Sequence, residues 1–118
     1  MERGWLEREF TMALVDWQRK LADDEWYFVR LHGRLTESLS SEEAFNAIDE
    51  AVNVTLAQDD ESLWTEAMYL ILSLARRSDT TEMPRHLSDR WAELMTSAAR
   101  FGTYQATKAE ELRSWYRR

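Results

Sequence analysis

Nine carboxylates lie between Arg34 and Arg76 (Glu37, Glu42, Glu43, Asp49, Glu50, Asp59, Asp60, Glu61 and Glu66), with no Lys or Arg among them. Side chains of this type can hold a metal ion, move protons or present a negative surface to a basic partner, and spacing discriminates between the three. Asp59-Asp60-Glu61 is the densest group. Consecutive side chains point in different directions, however, and the segment lacks the Gly and the regularly spaced oxygens of a Ca²⁺ loop. The two histidines, His32 and His86, have no carboxylate at a metal-binding helical spacing, and Glu82 precedes His86 across Pro84 outside any Glu-x-x-His arrangement. A helical di-iron site would need several inward Glu and paired Glu-x-x-His motifs. There is no Cys, no phosphate-cradling Gly-rich loop and no Gly-x-Ser-x-Gly elbow. The expectation is a chain without catalytic, cofactor or metal residues, hence not an enzyme. A lone carboxylate such as Glu66 in a pocket lined by Trp and Tyr is the one arrangement that would make it a small-molecule binder or an enzyme.

The negative surface remains. The first sixty residues hold 14 acids and 6 bases and the last fifty-eight hold 8 acids and 9 bases, so almost all of the net charge of −7 belongs to the first half. A one-sided field of this kind acts on association more than on folding. It also argues against nucleic acid as a partner, because a groove-binding helix needs phosphate-neutralising Lys and Arg around it.

Helices must position these carboxylates. Gly (three) and Pro (one) are scarce and 44% of residues are hydrophobic, which favours helix and leaves a sheet without turns. Leu6, Phe10, Leu14 (or Ala13), Trp17 and Leu21 recur every three or four residues and predict a helix over about 3–22. Asp23-Asp24 then break the chain before a second helix anchored by Trp26, Phe28, Leu31 and Leu35, because one unbroken helix to Ser38 would be roughly 54 Å long. Ser40 and Glu43 match a capping box at the start of a third helix. Phe45, Ile48, Val52 and Leu56 form its apolar stripe, flanked by Ala44, Ala47 and Ala51, while Glu42, Glu43, Asn46, Asp49, Glu50 and Asn53 share a sector of roughly 120°. A fourth helix runs from about 59 to 77 and is apolar nearly all round, which marks it as central. A fifth carries Leu87, Trp91, Leu94, Met95, Ala98 and Phe101 and stops at Gly102. The last begins at Thr107, whose capping partner would be Glu110, or at Thr103.

The expected architecture is all-α: a single domain over 1–118, built as a compact bundle of five to six helices, mostly antiparallel neighbours with short connections. Trp17, Trp64 and Trp91 fall on core stripes. No stretch approaches the roughly 20 apolar residues of a membrane span, and the charged N-terminus has no apolar signal region, so a cytoplasmic protein is expected. In size, charge and helical make-up, though in no motif, the chain resembles bacterial immunity proteins and antitoxins that neutralise nuclease-type toxins. Nucleases present basic clefts, and an acidic inhibitor can be steered into one. The expectation is therefore a non-catalytic binding protein that engages a basic protein through Glu42, Asp49, Glu50, Asp59, Asp60 and Glu61. The competing expectation is a self-associating structural or adaptor protein, a homodimer in which an unbroken helix to Ser38 pairs with its twin through Trp26 and Phe28.

Overall fold

The computed structural model describes residues 3–117, and among them eight helices and no strand occur. They are α1 (Trp5–Leu14), α2 (Trp17–Asp23), α3 (Tyr27–Thr36), α4 (Ser41–Leu56), α5 (Glu61–Ser78), α6 (Arg85–Asp89), α7 (Trp91–Phe101) and α8 (Thr103–Tyr116). The all-helical class agrees with the sequence. The count exceeds five or six because two of the expected helices are each split.

The first split is at Val15-Asp16, where Val15 is extended and Asp16 is left-handed at φ 57°. Asp adopts that region more readily than most residues because its short polar side chain can bond locally. The expected break follows at Asp24, which is extended and accepts a hydrogen bond from the Trp26 backbone N–H at 3.0 Å. A continuous helix to Ser38 is thus replaced by three short ones. The second split is at Arg90, between α6 and α7. Gly102 then separates α7 from α8 at φ 140° and ψ −174°, a region occupied almost only by Gly. Because α8 starts directly after it, the Thr107 hydroxyl donates to the Thr103 carbonyl instead of capping a helix.

The Ser40 capping box forms as expected. Ser40 Oγ accepts from the Glu43 N–H at 3.1 Å and Glu43 Oε1 accepts from the Ser40 N–H at 2.9 Å, and the Ser40 N–H bond above all holds the Glu43 carboxyl below its ordinary pKa. From there α4 runs into a four-residue connection and α5 returns beside it. Arg77, near the end of α5, donates to the Leu39 carbonyl just ahead of α4, so the two helices are antiparallel.

This hairpin is the centre of the core. On α5, nine residues are buried, from Trp64 through Leu70, Ile71 and Leu74 to Ser78. The buried face of α4 lies closer to the alanines than the apolar stripe suggests. Ala44, Ala47, Ile48, Ala51, Val52, Val54 and Thr55 are buried, whereas Phe45 and Leu56 are only half-buried. Small residues let two helix backbones approach closely, and the gain in close contacts outweighs burying two bulkier side chains. Leu6, Phe10 and Ala13 of α1, Phe28, Leu31 and Leu35 of α3, Leu87 of α6, Leu94 and Ala98 of α7, and Ala109 and Leu112 of α8 pack around it. Trp64 is fully buried, while Trp17 and Trp91 pack against the core half-buried. Among the described residues no helix is long and apolar enough to cross a membrane.

Candidate functional site

The polar sector of α4 and the turn into α5 carry the six carboxylates singled out by the sequence, and the structure gives them different surroundings. Glu42 is exposed on the first turn of α4. Asp59, Asp60 and Glu61 are exposed at the opposite end of the helix. At about 1.5 Å per residue the two groups lie more than 20 Å apart. Between them, Asp49 and Glu50 sit in a crevice also lined by Arg3, Arg85 and His86. The structure therefore brings Asp59, Asp60 and Glu61 together, and separately Asp49 and Glu50, but does not unite the six in one open face.

Several of these groups also serve the fold. Glu50 Oε1 accepts from the backbone N–H groups of Leu6 and Glu7, at 3.0 and 3.1 Å, and so closes the N-terminus of α1 in place of a local cap. A carboxylate is well suited there, because the exposed N–H groups and the helix dipole both favour negative charge. Glu50→Ala should cost about 1–2 kcal/mol, read as a lower urea midpoint, and Glu50→Gln, which keeps an acceptor, should cost less. Asp60 caps α5 by accepting from the Leu63 N–H at 3.0 Å. Glu61 accepts from Gln105 Nε2 at 3.2 Å, tying α5 to α8.

Asp49 is in the opposite position. Burial raises its pKa against the opposing charges of His86 and Arg3, and its Oδ1 is buried without a hydrogen-bond partner among the described residues. A carboxyl whose folded pKa lies above its unfolded one stabilises the fold only when protonated. That contribution is complete below the unfolded value and is lost as pH rises through the folded value. Asp49→Asn is therefore expected to raise the melting temperature at neutral pH, with the gain shrinking to nothing near about pH 3. An equal effect at both pH values would contradict this account of Asp49.

A second concave site lies on the other side of α5, where α2, α3 and α8 border an open groove of about 630 Å³. Trp17, Leu21, Phe28 and Leu72 make its apolar wall. At its polar end His32 Nε2 donates to Glu66 Oε2 at 3.0 Å, with the two side chains 16% and 22% exposed. The acceptor-only carboxylate places the proton on Nε2, and Nδ1 is buried without a partner among the described residues. Tyr69 is hydrogen-bonded to Tyr104. Burial first, then that bond and the nearby charges of Glu66 and Glu111, push the Tyr69 phenol up to about 12. Lys108 Nζ lies 5.6 Å from the Tyr69 ring centre and 5.2 Å from that of Tyr104, and pairs with Glu111 at 3.1 Å.

Sequence spacing could not place His32, 34 residues away, against Glu66. The visible signal was Glu66 itself, the only charged residue between Leu63 and Ala75 on an otherwise apolar helix. His86 likewise bonds Asn53 Oδ1 at 2.7 Å. Among the described residues no group of three or more His, Cys, Asp or Glu is placed to hold a metal ion. No protein-family model, curated protein or solved structure matches this chain.

Proposed function

We propose that this protein is a non-catalytic binding protein that engages a basic protein partner, in the manner of immunity proteins and antitoxins that neutralise nuclease-type toxins. The observation that carries the reading is the base-free hairpin. Residues 35–75 contain no Lys or Arg, and in the α4–α5 hairpin Asp59, Asp60 and Glu61 are exposed together at the turn while Glu42 is exposed at the far end of α4. Exposed Glu42, Asp59, Asp60 and Glu61 make no ion pair among the described residues. Carboxylates elsewhere, such as Asp16, Glu93 and Glu110, are matched by arginines.

The contact surface centres on the α4–α5 turn, where three consecutive exposed carboxylates are densest, with Glu42 extending the field along α4. Asp49 and Glu50 share their crevice with Arg3, Arg85 and His86, which offset their charge, and are left out of the contact surface. Fields of this kind raise association rates by about 10- to 1,000-fold over an uncharged surface, and buried aromatic or Arg anchors usually supply most of the affinity. The test is affinity capture from the source organism at low salt, with the prey identified by mass spectrometry. Recovery of a strongly basic protein supports the reading, and recovery of the bait alone counts against it.

A further inference from the structure

We propose that the groove between α2–α3 and α5–α8 is a binding site for an amphiphilic organic cation, an apolar body carrying a protonated amine. It is separate from the α4–α5 turn, so the inference stands without the basic-partner reading. A volume of about 630 Å³ suits a small organic ligand. The wall formed by Trp17, Leu21, Phe28 and Leu72 offers aliphatic and aromatic contact to its body. The Trp17 and Phe28 rings, with centres 6.1 Å apart, pack on one another at that wall.

The charges decide the sign of the ligand. Three carboxylates line the groove, Glu25, Glu66 and Glu111, against two cations, of which Lys108 is held by Glu111 and the two tyrosine rings and Arg76 is exposed and approaches Glu111 at 3.9 Å. Of the carboxylates, Glu66 has one oxygen held by His32, and no hydrogen bond among the described residues reaches the other. Glu25 lines the same groove. An anionic head in the apolar part of the groove would be repelled by Glu66 and Glu25. An ammonium group finds a fixed, half-desolvated carboxylate, where a charge-assisted hydrogen bond is stronger than at an open surface.

The probes are 4-phenylbutylamine, 4-phenylbutanol and 4-phenylbutyrate, which share a body and differ in the charge of the head. Each is titrated into the full chain at pH 7.5 and fixed ionic strength, following the indole N–H resonance of Trp17, assigned with Trp17→Phe. The amine is expected to saturate below about 10 mM and to bind about tenfold tighter than the alcohol, with the carboxylate weakest. Glu66→Gln should abolish the preference of amine over alcohol while leaving binding of the alcohol in place. Val29→Arg, at a groove position whose side chain is exposed, tethers a competing cation and should weaken the amine without threatening the fold. The inference is overturned if the amine fails to saturate, if the carboxylate binds as well, or if the folded Glu66→Gln protein keeps the preference.

Discussion

Trp64→Ala should lower the unfolding free energy by about 3–5 kcal/mol, the largest stability effect expected of any single substitution in this chain. Trp64 is 0% exposed. Its ring lies 5.7 Å from that of Phe101, tilted at 38°, and its Nε1–H donates to Ser97 Oγ at 2.7 Å. The truncation removes indole contacts on the central helix and leaves a cavity that the surrounding helices α4, α7 and α8 can only partly collapse into. A domain of this length holds roughly 6–18 kcal/mol in total, so the loss is a large share of the whole. Trp64→Phe keeps most of the volume and removes the donor, and should cost about 1–2 kcal/mol. Urea titration reads both as shifts of midpoint at unchanged slope. A loss below about 1 kcal/mol for Trp64→Ala would mean that α5 is not the packing centre.

Reversing Glu42, Asp59 and Glu61 to Lys should slow association with the basic partner by about 10- to 100-fold, with the difference shrinking as salt is raised. These positions are chosen because the fold depends on them least. Glu50, which closes α1, and Asp60, which caps α5, stay in place. Gln105 keeps its bond to Thr65 at 3.1 Å when Glu61 is replaced. The triple change moves the formal charge from −7 to −1. The stability cost comes mainly from placing Lys in the first turns of α4 and α5 against their dipoles, about 0.3–1 kcal/mol per helix. Rim charges act chiefly on the association rate and its salt dependence, whereas dissociation follows the buried anchors. Stopped-flow association at several salt concentrations separates the two. Equal rates at every concentration would remove the electrostatic role assigned to the turn.

Much of the fold was legible because it rests on local chemistry. Ser40 and Glu43 announced the start of α4, the run from Leu63 to Ala75 announced a central α5, and Asp23-Asp24 marked a break. The split at Asp16 was not legible, since Leu14 and Trp17 keep helical spacing across it and only the left-handed backbone of a single Asp interrupts them. The rotated face of α4 was missed for a different reason. Periodicity weights bulky residues, so Phe45 and Leu56 outranked the alanines, yet close packing against α5 rewards the smaller side chains. The carboxylates were found as residues but not as a surface. Which of them face solvent depends on α1 packing on the middle of α4, as in the bonds from Leu6 and Glu7 to Glu50 and from Asn53 Nδ2 to Glu7 Oε1 at 3.1 Å. Such contacts join residues more than forty positions apart and leave no mark on spacing. The pairing of His32 with Glu66, 34 residues apart, leaves no mark on spacing either.

Parallel capture from the source organism, with the native chain and the Glu42/Asp59/Glu61→Lys triple variant as baits, bears most directly on the basic-partner proposal. One strongly basic protein should be enriched on the native bait at low salt and depleted from the variant, with both baits giving the same helical spectrum and comparable melting temperatures. The same prey on both baits in equal amount, or an acidic or neutral prey lost from neither, would contradict it.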